Sequence, residues 1–307
     1  MTVSTLRPGS DPVNLTLLIT TSATMLDIAS ANELPHVRIR ASVPGPLIDV
    51  PELLRFRDLL WTLADRDLRV RYKQTALGVI WVVLQPLMSS LIFAFVFGVI
   101  AGMPSDGKPY LLFAFAGMTA WNTFANVLTR VSGSLVSNAQ MLSKIYFPRL
   151  ILPVSAAISA LVDSAISLGL MLVMMGFYRA WPGWGIVLLP VWLVILVVLA
   201  LGLGLMAASW IVRYRDVTHI IPVVLQLGLF ISPVAWSLAN PNLSEKFRWI
   251  LRLNPLCSLI EAIRWSLLGE GDLALPALAY SIAVAAGVFW MGVMVFKKQE
   301  RSFADVI

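Results

Sequence analysis

The sequence predicts an all-α membrane protein with six transmembrane helices and an N-terminal amphipathic interface helix. Short re-entrant helices precede the last span, and both termini are cytoplasmic. Three observations carry this. Hydrophobic residues make up 58% of the 307 and charged residues 13%, with a mean hydropathy of +0.82. A soluble domain of this length cannot hide that much apolar surface. The apolar residues gather in long runs without period-two alternation, so helices rather than strands cross the ~30 Å hydrocarbon core. Basic residues concentrate on alternate connections, which sets the orientation.

Residues 1–50 read as a cytoplasmic extension of unassigned role. Val13–Met25 is mildly apolar, but Asn14 and several threonines interrupt it and Asp27 follows, so it does not read as a signal peptide. Residues 51–75 form the interface helix. On a helical wheel, Arg55, Asp58, Thr62, Asp65, Arg66, Arg69 and Lys73 share one face. Leu53, Phe56, Leu59, Leu60, Leu63, Ala64 and Val70 lie opposite. Arg57, Asp67 and Arg71 intrude on the apolar face and are candidates for ion pairs or protein contacts. The basic cluster Arg66–Lys73 then abuts an apolar run, with no charge from Ala76 until Asp106.

Residues 76–296 hold the spans Gly78–Ala101, Tyr110–Thr129, Ile151–Phe177, Ile186–Val212, Ile220–Leu238 and Ala277–Phe296, followed by a cytoplasmic tail at 297–307. With the N-terminus inside, the inner connections carry fourteen Lys and Arg against six outside. The last outer loop contains "NPLCSLIEAIRWSLLG", Asn254–Gly269, apolar but too short to span. Its Glu261 and Arg264 stand at i,i+3 on one helix face. Pro222, Pro233 and Pro255 bracket the region and are expected to break helices there.

Two motifs mislead. "GMPSDGKP", Gly102–Pro109, imitates a phosphate-binding loop, but Pro109 replaces the hydroxyl that would hold magnesium and a span rather than a strand precedes it. "DRD", Asp65–Asp67, imitates a metal-binding D-x-D pair, yet its carboxylates project about 200° apart on a helix. A single cysteine, Cys257, and two distant histidines, His36 and His219, give no metal cluster. The net charge of +6 reads as a basic membrane rim rather than a nucleic-acid surface. No catalytic residue and no cofactor of the chain's own are expected.

Asp163 alone places a charge inside a span, at about 2.5–3.5 kcal/mol on insertion scales. It is expected to bond to a neighbouring helix. Eleven tryptophans suit an interfacial belt, with Trp121, Trp236 and Trp265 as candidates to stack on sugar rings. The inner loop Ser132–Pro153 carries apolar residues in its middle, which a plain connection does not need. It reads as a docking element for another protein.

The blocks "RDLRVRYKQTALGVIWVVLQPL", "NAQMLSKIYFPRLILP", "RYRDVTHIIPVVLQLGLFISPVAW", "NPLCSLIEAIRWSLLG" and "ERSFADVI" together resemble the permease subunits of type-2 ABC exporters for O-antigen, teichoic acid or capsule. The resemblance covers roughly residues 50–307. It implies a homodimer in the bacterial inner membrane, with two copies of a separate ATPase that binds ATP and magnesium, and a lipid-linked polysaccharide substrate. It makes Asn138, Leu142, Lys144, Tyr146, Phe147, Pro148 and Arg149 an ATPase-coupling loop. Arg66, Arg69, Arg71 and Lys73 become a lipid-carrier entrance, and Pro233, Glu261 and Arg264 a gate. An exporter of drugs or small lipids is the alternative within that class. A membrane glycosyltransferase or acyltransferase would need paired acidic or His/Asp residues at the membrane face. A secondary transporter would show more buried charge and inverted repeats.

Overall fold

A computed structural model describes residues 49–73, 79–142, 144–238, 243–269, 271, 273–300 and 303, all of them helix, turn or loop. The extension at 1–48 and residues 301, 302 and 304–307 of the tail lie outside the described residues.

Helix α1, Val50–Arg55, starts where the Asp49 side chain accepts from the Glu52 amide at 3.1 Å, with Pro51 in the first turn. Phe56 interrupts the chain before α2, Arg57–Lys73, so the expected single helix is two pieces. Leu63 and Ala64 are buried, and Leu53, Phe56, Leu59 and Leu60 pack on the core. Val70, expected beside them, is 62% exposed. The last turn of α2 instead directs Arg71 and Tyr72 toward Asp163.

The first apolar run forms α3, Val79–Phe93, which continues as a π-helix over Ala94–Ile100. Gly102, Asp106 and Gly107 take positive φ angles in the following turn. The phosphate-loop look-alike is thus a helix-to-helix connection. Helix α4, Tyr110–Ser137, runs past the expected end at Thr129 and makes Arg130 helical. A short α5, Ala139–Leu142, leads to α6, Ile151–Phe177. A 3-10 turn at Trp184–Leu188 enters α7, Leu189–Arg213.

Among the described residues, five helical stretches are long and apolar enough to cross a membrane: Ile80–Ile100, Tyr110–Ser137, Ile151–Phe177, Trp184–Arg213 and Leu275–Gln299. The remaining expected span, Ile220–Leu238, appears as α8, Val217–Ile231, of 15 residues. It ends at Ile231, and Ser232–Leu238 is irregular. Pro222, expected to break the helix, lies inside α8. Only the bond to the Thr218 carbonyl is lost there, near the helix start. Helices α9, Glu245–Arg252, and α10, Pro255–Leu268, precede α11, Leu275–Gln299. Asn254 caps α10 by accepting from the Leu256 amide at 3.1 Å, and left-handed Gly269 closes it at φ 74°.

Helix α4 occupies the centre, in contact with α3, α6, α7, α8 and α10, while α2 lies along α6 and α11 along α7. The α7–α11 crossing is backbone against backbone. A Cβ on Gly292 would stand 2.3 Å from the Gly202 carbonyl oxygen, and one on Gly202 would stand 2.6 Å from the Phe289 Cα. Small residues permit such approach between membrane helices, where packing rather than water drives association.

Gly292→Ala should therefore lower stability by about 1–3 kcal/mol through overpacking. Gly287→Ala, on the same helix with open space around it, should leave the melting temperature in detergent unchanged. Equal melting of the two variants would contradict the close crossing.

Candidate functional site

The first cluster joins three helices around one carboxylate. Asp163 on α6 is 5% exposed. Its Oδ2 accepts from Arg71 Nη1 of α2 at 2.6 Å and also from Arg130 Nη2 of α4. Its Oδ1 accepts from the Tyr72 hydroxyl at 2.6 Å. Arg130 Nη1 further donates to Ser159 Oγ at 3.4 Å. The expectation that Asp163 bonds to a neighbouring helix holds, and so does the expectation that Arg71 makes an ion pair. Burial, followed by the Asp163 carboxylate, raises the Tyr72 phenol above its ordinary pKa, which keeps it a donor.

The other basic residues of α2 face outward. Arg69 pairs with Asp65 at 2.6 Å, and Arg66 pairs with Asp67 at 2.8 Å. The carboxylates of "DRD" thus serve different arginines. Lys73 is exposed. Arg66 Nη2 also donates to Asn138 Oδ1 at 2.6 Å, tying α2 to the loop that follows α4.

That loop divides into a fixed base and a free tip. Asn138 Nδ2 donates to the Ser134 carbonyl at 2.9 Å. Leu142, Pro148 and Arg149 are half-buried, and Phe147 is 4% exposed within the core. Lys144 and Ile145 are exposed, and Tyr146 is 83% exposed. The Arg149 guanidinium stands 5.9 Å from the ring centroid of Phe303.

At the opposite end of α4, Arg264 and Glu261 secure the irregular strand of chain after α8. Arg264 is 1% exposed and donates from Nη1 to Glu261 Oε2 at 2.7 Å. Its Nη2 donates to the carbonyls of Pro233 at 2.5 Å and Val234 at 3.0 Å. The guanidinium lies 3.8 Å over the Phe113 ring. Glu261 Oε1 accepts from the Leu238 amide at 3.1 Å. The Tyr110 hydroxyl donates to the Ala235 carbonyl, and Ser237 donates to Asp106 at 2.7 Å. Gly117 makes room: a Cβ there would stand 2.4 Å from the Val234 oxygen and 2.8 Å from Arg264 Nη2.

The tryptophans part company. Trp121 is buried, tilted against Phe124 at 5.8 Å and pressed on Gly228 of α8. Trp236 is half-buried beside Leu238, Leu251 and Cys257. Trp265 is half-buried and meets Trp184 edge-on at 5.2 Å.

Sequence reasoning missed Arg130, Tyr72, Tyr110, Asp106 and Phe303. Arg130 was cut off at the end of an apolar run, and the others carry no local signal. It found Glu261–Arg264 because an i,i+3 pair is visible in one dimension.

Two outcomes follow from these networks. Removing one member of a buried ion pair costs about 3–5 kcal/mol. Arg264→Ala, which also orphans two carbonyls, should therefore abolish accumulation of folded protein. Glu261→Gln should be milder, because an amide oxygen still accepts from Leu238 and Arg264 keeps both carbonyls. Asp163→Ala should destabilise by a comparable amount, whereas Tyr72→Phe should cost about 1 kcal/mol. Fluorescence-detected melting in detergent orders the four variants, and the reverse order in either pair would refute the assignment.

Comparison with known proteins places this architecture. Residues 58–268 match the family model described as ABC-2 type transporter. The chain is 31% identical over 260 residues to the O-antigen export system permease protein RfbA of Myxococcus xanthus, covering 84% of this chain and 98% of that one. It is 27% identical over 254 residues to a Klebsiella pneumoniae protein of the same name, covering 81% and 95%. This multi-pass helical chain belongs to the ABC-2 type transporter family.

Proposed function

We propose that the chain is the transmembrane permease subunit of an ATP-driven exporter that moves lipid-linked polysaccharide, such as O-antigen, across the bacterial inner membrane. The observation that carries this is the match, over nearly the full length of the Myxococcus xanthus protein, to a permease named for O-antigen export. The subunit contributes a path and a transmission. ATP and magnesium are bound by a separate ATPase, present in two copies beneath a homodimer of this chain.

In this reading the sixth crossing is made by α8 together with Ser232–Leu238. Fifteen helical residues reach about 22 Å, short of the ~30 Å core. The irregular continuation is tolerated in a membrane where its backbone groups are satisfied, and Arg264, Glu261 and Tyr110 satisfy four of them. The basic connections then lie in the cytoplasm, with both termini. Helices α9 and α10 form the re-entrant outer pair, and Pro233, Glu261 and Arg264 form the gate. Exposed apolar side chains on α3, its π-helical continuation and α8, among them Ile92, Phe95, Val99, Val224, Leu227 and Phe230, meet lipid or the second copy.

Helix α2 lies at the inner membrane surface, where Arg66, Arg69, Arg71 and Lys73 receive the anionic carrier headgroup. Residues Asn138–Arg149 form the coupling loop. Its displacement is passed to α4 and α6, which it joins, and to α2 through Arg66. Trp236 and Trp265 are the tryptophans half open to a sugar chain, while Trp121 serves packing.

The loop tip gives the cleanest test, because Phe147 is core and its removal confounds folding with docking. Ile145→Ala with Tyr146→Ala should shift stability by less than about 0.5 kcal/mol, as exposed changes do. The same variant should lose co-purification with the ATPase subunit and lose export. Retention of a normal complex would remove the loop from the docking surface. Absence of any ATPase on well-folded wild type would sink the permease reading.

A further inference from the structure

The coupling loop is held at its two ends by different devices. Its first limb is fixed by Arg66 on Asn138. Its second limb, Phe147–Leu150, enters α6 with Phe147 and Leu150 buried. Between them the tip at Lys144–Tyr146 is exposed. A loop that transmits force needs its second limb held as well, and the contact there reaches a part of the chain remote in sequence.

That contact is Phe303, just beyond α11. It is 1% exposed, although polar and charged residues surround it in the sequence. One aromatic neighbour is Phe296, fully buried on α11, whose ring meets Phe303 edge-on at 5.2 Å and 69°. The second neighbour is a cation: the Arg149 guanidinium stands 5.9 Å from the Phe303 centroid, within reach of a cation–π attraction. Arg149 Nη1 is buried and has no hydrogen-bond partner among the described residues. A buried guanidinium nitrogen without a partner is unfavourable, so the negative face of the ring is the compensation on hand. Phe303 thus wedges between the cytoplasmic end of the last helix and the base of the loop.

We propose that Phe303 is a positioning residue of the exporter: its ring fixes Arg149, sets the angle of the ATPase-docking loop, and links that loop to the last transmembrane helix. The proposal rests on the permease reading, with Asn138–Arg149 as the docking loop. It requires an aromatic ring rather than apolar bulk. Phe303→Tyr should keep the function, and Phe303→Leu, which fills similar space without a π face, should not.

The test uses the complex of full-length permease with its ATPase subunit. ATP hydrolysis is measured on the purified complex. Export is measured in the native host as surface carbohydrate, labelled by periodate oxidation and a membrane-impermeant hydrazide dye. Phe303→Leu should assemble with the ATPase and melt like wild type, yet export per ATP hydrolysed should fall by about fivefold or more. Arg149→Gln should show a similar fall, and the double variant should be no worse than either single change, as expected for two residues acting through one contact. Phe303→Tyr should export normally.

Normal coupling in Phe303→Leu would overturn the proposal. So would a parallel loss of melting temperature and export in both Phe303→Leu and Phe303→Tyr, which would make Phe303 a core filler. Additive losses in the double variant would also overturn it. A wild-type complex that shows no ATP-dependent export would take down the permease reading, and this inference with it.

Discussion

A carboxylate in the middle of a membrane helix is tolerated only when its charge is answered locally, and the arrangement around Asp163 follows from that constraint. Two guanidiniums and a phenol converge on it from α2 and α4. Without them, the insertion cost of about 2.5–3.5 kcal/mol would stand uncompensated. With them, three helices distant in sequence are fixed at one point. Helix α2 owes its placement to this. Its apolar residues Leu63 and Ala64 bury one stretch, but Arg71 and Tyr72 set the rotation of its last turn and turn Val70 outward. The carboxylate is therefore an organising contact, and it sits beside the residues proposed as the carrier entrance.

The same physics appears at the far end of the bundle in terms of backbone rather than side chain. The chain leaves α8 at Ile231 and is irregular to Leu238, which leaves carbonyls and an amide without helical partners. Arg264 answers two carbonyls, Glu261 answers an amide, and Tyr110 answers a third carbonyl. Arg264 and Glu261 in turn neutralise each other at 2.7 Å. Gly117 is required because the strand and the guanidinium press directly on α4. A buried ion pair is weak evidence of stability for its own sake. Here its use is to make a non-helical stretch of chain acceptable inside an apolar bundle.

How much of this was legible in the sequence depended on the range of the signal. Long apolar runs reported the presence of the helices directly, because hydropathy is local, but not their ends: α4 continues past Thr129 and α8 stops at Ile231. The Glu261–Arg264 pair was legible because helical periodicity places both on one face. Arg71 stood out as a charge on an apolar face, which announced a partner without identifying it. The partner required knowing that α2 lies along α6, and nothing in the order of residues states that packing. The break at Phe56, the early end of α8 and the uninterrupted passage through Pro222 depended on tertiary support for backbone groups. Pattern alone could not weigh that support. Phe303 was hidden for the opposite reason: a single aromatic in a polar context reads as exposed until a partner ring is found.

Helix α4 gives these separate contacts a common frame. Its 28 residues span about 42 Å, and both networks are built on it. Tyr110, Phe113 and Gly117 in its first turns touch the Ser232–Leu238 segment or Arg264. Arg130 in its last turns holds Asp163, and Asn138, at its end, holds Arg66. The loop proposed for coupling begins where α4 stops. Helices resist bending far more than loops do, so a tilt imposed at Asn138 is felt at Gly117, where a Cβ could not be accommodated and small shifts already alter contacts. Dense packing makes such contacts switch between arrangements rather than deform smoothly. One buried helix therefore connects the surface proposed to dock the ATPase with the latch proposed as the gate, through residues that touch it at both ends.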